Sequence, residues 1–193
     1  MVDVQELKNI LCRYYNSVSD KTIDKIAQHF EYRNYKKGDT VVSNKSISTQ
    51  CFFICSGYTR GYIYREDAQF TLWFGEPGDM ITSFSTMFQN EKGNEIIETL
   101  TDCTMLAINM QTFKKLISEE IEIANVYHKI VEAGYLFWER RFLIYSQERA
   151  EDRYKEWYNR SKHISEHISL GVIAQYLNID QATLSRIRSK IKK

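Results

Sequence analysis

Proline and cysteine are scarce in this 193-residue sequence, which has one proline and four cysteines. Four cysteines in a chain of this size do not make a disulfide scaffold. Long apolar runs are missing too, and without a run of about 18 apolar residues a membrane-spanning helix is excluded. The opening residues lack the basic and apolar regions of a secretory signal. We therefore expect a cytoplasmic protein with no membrane partner.

Histidine is missing between residues 31 and 127, which removes the usual ligands of a metalloenzyme from that region. The sequence also lacks a P-loop, a G-x-S-x-G turn, an H-E-x-x-H helix and a dinucleotide fingerprint. His163 and His167 are four residues apart, but no further Cys or carboxylate set completes a metal site around them. We predict a protein that is not an enzyme and that has no metal and no cofactor.

What the sequence does contain is enough apolar material for a core, because 43% of the residues are hydrophobic and 26% are charged. The net charge is only +1. The last fourteen residues, however, carry a local net charge of +4, from Arg186, Arg188, Lys190, Lys192 and Lys193 against Asp180. This asymmetry favours an anionic partner at that end, although a solvated terminal helix is the alternative.

The pattern of apolar residues divides the chain into a helical start, a β-rich middle and a helical remainder. Helical spacing runs over residues 1–29, for example at Leu7, Ile10 and Leu11. Six of the eight glycines and the proline fall between 31 and 110, where short β-branched and aromatic runs alternate with polar ones. Such a region predicts a sandwich, jelly roll or barrel, with strands at residues 40–43, 51–56, 58–64, 70–74, 96–101 and 104–108.

From Gln111 to about Arg160 the pattern is helical again, with two apolar columns that repeat every seven residues from Leu116 to Ile144 and from Ile117 to Tyr145. One face can cover the β region, and the other is wide enough to meet a second copy of the same helix. We predict a homodimer through residues 121–145; a helix buried within one chain is the alternative. The apolar columns end near Ser146, where we expect a boundary or hinge.

Residues 170–190 carry the strongest local pattern, that of a helix-turn-helix. Two short apolar helices are separated by Asn178-Ile179-Asp180, in which Asn178 can adopt a left-handed turn and Asp180 can cap the second helix. Ala174 is small, as two steeply crossing helices require at their closest approach. Leu184 and Ile187 would hold the second helix on the first. An ordinary helical hairpin is the alternative.

The other face of the second helix is then free to enter a DNA major groove. It carries Gln181, Ala182, Ser185, Arg186 and Ser189, and we expect Arg186 to read a base, because arginine binds guanine through two hydrogen bonds. Lys190, Lys192 and Lys193 are expected to contact phosphates. The predicted DNA-binding residues are Ser169, Gln181, Thr183, Ser185, Arg186, Arg188, Ser189 and Lys190.

The order of these parts resembles the cyclic-AMP receptor/fumarate-nitrate regulator (Crp/Fnr) family. Residues 36–39 (KKGD), 52–62 (FFICSGYTRGY) and 77–81 (PGDMI) are similar to recurring turns of its β-roll. Residues 148–154 (ERAEDRY) and the helix-turn-helix after them resemble the version in Bacteroidetes-type members. The resemblance implies an α+β fold with three parts: an N-terminal cyclic-nucleotide-binding-like β-roll (a double-stranded β-helix or jelly roll), a long dimerisation helix and a C-terminal helix-turn-helix of winged-helix type.

The resemblance further implies two domains, a β-roll sensory domain at 1–145 and a DNA-binding domain at 146–193, in a homodimeric transcription regulator that binds a palindromic site on double-stranded DNA. A wing would have to come from residues near 161–168 or be absent. A ligand-binding or scaffold module whose helix-turn-helix contacts protein is the alternative function.

The signature that cyclic-nucleotide-binding members use for the phosphate and ribose is missing here. Gly78-Asp79-Met80-Ile81 is followed by Thr82-Ser83-Phe84 rather than Gly-Glu-Leu, and Gly93 and Asn94 stand where an Arg and a Ser are expected. A buried phosphate without a cationic partner is strongly disfavoured, so we predict no tight binding of cyclic AMP; a regulator that does bind a cyclic nucleotide is the alternative. An unknown small-molecule effector, or else a pocket filled by side chains, is expected at Tyr62, Tyr64, Trp73, Thr82, Ser83, Asn94 and Glu98.

Overall fold

A computed structural model describes residues 2–66, 68–146 and 149–191. The chain begins with two helices, α1 (Val4–Cys12) and α2 (Asp20–Ala27), which confirms the helical pattern of the first 29 residues. Each helix starts at a side-chain cap. The Asp3 carboxylate accepts hydrogen bonds from the backbone N–H groups of Gln5 and Glu6, and the Ser19 hydroxyl accepts one from that of Thr22.

The middle of the chain is a sandwich of two four-stranded antiparallel sheets. The first has the order β1-β8-β3-β6 and the second the order β2-β7-β4-β5. All six predicted strands are present, and β1 and β6 are additional. The strands are β1 (Phe30–Tyr35), β2 (Thr40–Val42), β3 (Gln50–Ser56), β4 (Thr59–Arg65), β5 (Ala68–Gly75), β6 (Met80–Ile81), β7 (Ile96–Thr99) and β8 (Cys103–Asn109).

Two apolar cores lie on either side of the first sheet. Ile54, Ile97 and Met105 are fully buried between the two sheets. On the outer face, Phe53 and Phe113 pack edge to face with ring centroids 5.9 Å apart, among side chains of α1 and α2. Burial of each such side chain contributes about 1.5–3 kcal/mol, so the helical start is part of the β domain's core.

Helix α3 (Phe84–Gln89) follows β6. Helix α4 (Met110–Glu119) follows β8, and α5 (Ile121–Ser146) follows α4. The prediction of continuous apolar columns from residue 116 to 145 is wrong at its start, because Glu120 has extended backbone angles and separates α4 from α5. Leu116 and Ile117 therefore belong to α4, and the seven-residue repeat applies to α5 alone.

The described residues cover one face of α5 and leave its other face exposed. Ile123, Val126, Ile130 and Ile144 are buried. The opposite side exposes seven large apolar side chains in this single chain: Ile121, Val131, Tyr135, Leu136, Trp138, Phe142 and Leu143. The two most exposed, Ile121 and Phe142, are each 74% accessible.

The remainder of the described chain is helical: α6 (Ala150–Ser165), with non-helical angles at Ser161, then α7 (Leu170–Leu177) and α8 (Gln181–Ile191). Residues 161–168 form the end of α6 and a turn, so they supply no β-hairpin wing. Trp157, Leu177 and Leu184 share a core that also includes Tyr58, Phe74 and Leu100 of the sandwich. Within the described ranges, no helix has the length and apolarity needed to cross a membrane.

Candidate nucleic-acid interface and effector cavity

The turn between α7 and α8 has the geometry that its sequence predicts. Asn178 adopts a left-handed conformation, with φ of 52° and ψ of 53°, and ends α7. The Asp180 carboxylate then caps α8, because it accepts a hydrogen bond of 2.8 Å from the Thr183 backbone N–H and one of 2.6 Å from the Thr183 hydroxyl. These bonds lower the pKa of Asp180 and keep it ionised at the positive end of the helix dipole.

The two helices meet where small and apolar side chains allow close contact. Ala174 is buried at 4% accessibility, and Leu184 and Ile187 are buried against α7 and α6. This packing turns the face with Gln181, Ala182, Ser185, Arg186 and Ser189 outwards, and all five residues are exposed. The described part of the chain therefore presents a polar helix face that no described residue covers.

The other predicted DNA contacts have local roles as well. The Ser169 hydroxyl caps α7 through the Val172 N–H, and the half-buried Thr183 donates to Asp180. Arg188 is half-buried and lies beside Tyr154. Lys190 is exposed. Lys192 and Lys193 lie outside the described residues.

Helix α7 is docked on the second sheet through a buried polar network that sequence reasoning missed. Arg60 of β4 is 4% accessible and donates to Glu98 at 2.8 Å, to Gln69 at 2.6 Å and to Gln175 of α7 at 2.7 Å. Thr71 of β5 also donates to Gln175, at 3.3 Å. Glu98, a predicted effector contact, is thus the ion-pair partner of Arg60.

A second buried arginine joins α5 to the same helix. Arg141 donates to the backbone oxygens of Thr71, Leu72 and Tyr176, at 3.2, 3.2 and 2.5 Å. Its guanidinium carbon lies 3.6 Å from the ring centroid of Tyr176 and 4.1 Å from that of Tyr145. Burial lowers the pKa of Arg141, and the contacts with carbonyls and rings offset that cost. The long helix α5, the second sheet and the helix-turn-helix are therefore joined by the side chain of Arg141.

Between the second sheet and α5 lies a cavity of about 690 Å³. Its walls are rich in aromatic side chains and come mainly from β5, β6, α3 and α5. They include Tyr14, Trp73, Phe74, Phe84, Phe88, Tyr135, Phe137 and Trp138. Of the predicted effector residues, Trp73 and Asn94 line it.

The other predicted effector residues lie elsewhere. Tyr62 is buried beneath the Arg60 guanidinium, and Tyr64 is 52% exposed with its ring against Tyr62. Thr82 donates to the backbone oxygen of Gln50, and Ser83 caps α3. Side-chain direction in strands and caps, which the sequence does not specify residue by residue, explains these differences.

Two carboxyl groups face the cavity. Glu95 accepts a hydrogen bond from the Trp73 indole N–H, and burial raises the pKa of Glu95 to about 7. Burial also raises the pKa of Asp79 to about 6, although the hydrogen bond that Asp79 accepts from the Glu76 backbone N–H lowers it. Gly61 makes room for this arrangement, because a Cβ there would overlap the Trp73 indole and the Glu95 carboxylate. Among the described residues that line the cavity, none is lysine, arginine or histidine.

Comparisons with known proteins agree with this geometry. Residues 32–120 match the cyclic nucleotide-binding domain family. No curated protein matches the sequence of this chain. A double mutant of CooA from Carboxydothermus hydrogenoformans is similar in structure, with a TM-score of 0.73, 17% identity, and coverage of 99% of this chain and 84% of that one.

Two other solved structures are similar over most of their length. One is described as a Crp/Fnr-family transcriptional regulator from Eubacterium rectale, with a TM-score of 0.72, 17% identity, and coverage of 92% of this chain and 85% of that one. The other is FixK2 from Bradyrhizobium japonicum, with a TM-score of 0.72, 17% identity, and coverage of 84% of each chain. The chain therefore has the fold of the Crp/Fnr regulators, and its residues 32–120 match the cyclic nucleotide-binding domain family.

Proposed function

We propose that this chain is a non-catalytic, homodimeric transcription regulator of the cytoplasm, with a sensory domain at 1–145 and a DNA-binding domain at 146–193. The observation that carries the proposal is the outward face of α8. Leu184 and Ile187 hold the helix down, while Gln181, Ser185 and Arg186 are exposed. A helix presented in this way fits a major groove about 12 Å wide.

Dimerisation through α5 supports recognition of a palindromic site. The exposed apolar face from Val131 to Leu143 is the kind of surface that a second copy of the helix buries. Two α8 helices related by a two-fold axis would contact half-sites about 34–36 Å apart. Phe142→Glu should give a monomer in light-scattering measurements, while Ile47→Glu, at a 50% exposed apolar residue of the sandwich, should leave the dimer intact.

Selection of bound duplexes from a random pool tests the DNA-binding proposal. We expect a palindromic consensus, and affinity for it that falls steeply as salt rises. Arg186→Ala should cost about 1–3 kcal/mol on the selected site and relax specificity at one position per half-site. Arg33→Ala, at an exposed arginine on β1, is the matched control and should leave binding unchanged. A DNA affinity that changes neither with salt concentration nor in Arg186→Ala would contradict the proposal.

The cavity between the sandwich and α5 is the proposed effector site. It lies against α5 and against Phe74, whose ring centroid is 4.9 Å from that of Tyr176 in α7. The position expected to carry a phosphate-binding arginine is Gly93, which is buried next to Ser83 and Ser85. We therefore propose that the site does not take cyclic AMP tightly. A calorimetric affinity in the micromolar range for cyclic AMP would overturn this part.

A further inference from the structure

The effector cavity combines aromatic walls with acidic groups in a way that suits one class of ligand. Aromatic side chains contribute from four parts of the chain: Tyr14 beyond α1, Trp73 and Phe74 on β5, Phe84 and Phe88 on α3, and Phe137 and Trp138 on α5. The negative faces of such rings attract cations, and cages of this kind bind ammonium groups in proteins.

The polar groups of the cavity are acidic or uncharged, which also suits a cationic ligand. Glu95 and Asp79 contribute carboxyl groups, while Ser85, Asn94 and the phenols of Tyr14 and Tyr135 are uncharged partners. One oxygen of Glu95 accepts from Trp73, and the other has no hydrogen-bond donor among the described residues. A carboxylate oxygen free to accept offers an ammonium group a charge partner, and the aromatic rings elsewhere in the lining offer π faces.

The same lining disfavours an anion. A phosphate or carboxylate needs cationic or N–H donors when it leaves water, and within the described lining there is no lysine, arginine or histidine. The nearby cations are engaged elsewhere, since Arg60 binds Glu98 and Gln175, and Arg13 binds Glu76 and the backbone oxygen of Pro77.

We propose that this cavity binds a small organic cation, an amine or quaternary ammonium compound with an apolar body, through Glu95 and the surrounding aromatic faces. The inference rests on the cavity's role as the effector site and specifies the ligand class. The volume of the cavity is within the range of ordinary small-molecule pockets, about 300–1,000 Å³. The apolar body of the ligand would lie against Phe74, Phe84 and Phe137.

Three probes that share an indole ring and differ in charge test the proposal: tryptamine, 3-methylindole and indole-3-acetate. Calorimetry on the full chain at pH 8 should show tryptamine binding about tenfold more tightly than 3-methylindole, which corresponds to about 1.4 kcal/mol, and indole-3-acetate binding most weakly. Cyclic AMP should bind no better than indole-3-acetate. Tighter binding of either anion than of tryptamine, or no tryptamine binding at millimolar concentration, would overturn the proposal.

Glu95→Gln keeps a hydrogen-bond acceptor for Trp73 and removes the charge. It should lower tryptamine affinity to the level of 3-methylindole and leave 3-methylindole binding unchanged. Glu91→Gln, at an exposed glutamate in the same segment between α3 and β7, should change neither. An unchanged preference for tryptamine in Glu95→Gln would contradict the assignment.

Binding of the selected duplex, measured in parallel without any probe, separates this inference from the proposed function. If the chain binds DNA and dimerises but does not bind tryptamine, only the proposed ligand class is wrong. If the chain binds tryptamine but does not bind DNA, the ligand class of the cavity is supported and the proposed role as a transcription regulator is wrong.

Discussion

The guanidinium of Arg60 on β4 and the side-chain amide of Gln175 on α7 are joined by a hydrogen bond of 2.7 Å. Arg60 is 4% accessible, so this bond is shielded from water. A charge-assisted hydrogen bond in such a place is stronger than a neutral surface one. It ties the first helix of the helix-turn-helix to the sheet that forms the cavity wall.

Gln175→Ala should therefore loosen α7 without unfolding the sandwich. We expect a loss of about 1–2 kcal/mol in the free energy of unfolding and faster amide hydrogen exchange in α7. Gln69→Ala is the matched control, because Gln69 accepts from the same guanidinium at 2.6 Å but lies within the sandwich. It should cost a similar free energy and leave exchange in α7 unchanged; equal exchange in the two variants would show that Gln175 does not hold the helix.

Arg141→Met should destabilise the chain strongly. The substitution keeps an unbranched apolar stem but removes the guanidinium donor from the carbonyl oxygens of Thr71 and Leu72 and one of the two donors, the other being the Tyr145 hydroxyl, from that of Tyr176. We expect a loss of about 3 kcal/mol, measured by urea unfolding. Arg140→Met, at the exposed neighbouring position, should change stability by less than about 0.5 kcal/mol. Similar small effects in both variants would mean that the carbonyl contacts of Arg141 contribute little.

Two substitutions at Asn178 should differ because its φ is 52°. Asn178→Ala puts a residue that tolerates the left-handed conformation less well than asparagine at this position, and it should cost about 1–2 kcal/mol. Asn178→Gly should stay within about 0.5 kcal/mol of the native chain, since glycine adopts this conformation readily. Thermal unfolding of the pair checks this. Equal losses would point to the asparagine side chain rather than the backbone.

Stability should fall with rising pH through the titration of Glu95. Its pKa is raised by burial from an ordinary 4.5 to about 7 in the folded chain. The unfolded state therefore loses its proton first. The contribution of Glu95 is complete below pH about 4.5 and is lost as pH rises through about 7.

Glu95→Gln removes this dependence and should make the chain more stable than the native one at pH 8, by an amount on the order of 1–3 kcal/mol. Denaturant unfolding at pH 5, 6, 7 and 8 measures it. Asp79 titrates at the same wall with a pKa of about 6, so the native and Glu95→Gln curves should be compared rather than read singly. Parallel curves would show that Glu95 is solvated and not perturbed by burial.

The helix-turn-helix could be predicted in detail because its determinants are local. The left-handed turn at Asn178, the cap at Asp180 and the burial of Ala174, Leu184 and Ile187 all depend on residues within a few positions of one another. The predicted strands are confirmed for a similar reason, since alternation and glycines are visible in short windows.

What the sequence does not show is set by contacts between distant residues. Strand β1, with the sequence FEYRNY, has only Phe30 buried, so its edge position hides the alternation. The break at Glu120 has no proline or glycine to mark it. The network of Arg60 and Gln175 joins residues 115 positions apart, and neither residue type predicts burial. The cavity likewise brings Phe84 and Phe88 of α3 together with Phe137 of α5, which is distant from them in the sequence.

Phe74 belongs to the cavity wall and, 4.9 Å away from Tyr176, to the packing of α7. At the proposed effector site, a molecule that pushes this ring outwards would press on α7, whereas one that fills only the far end of the cavity would not. Two compounds of equal affinity would thus differ in efficacy, one as an agonist and the other as a silent competitor, according to whether they reach this one ring.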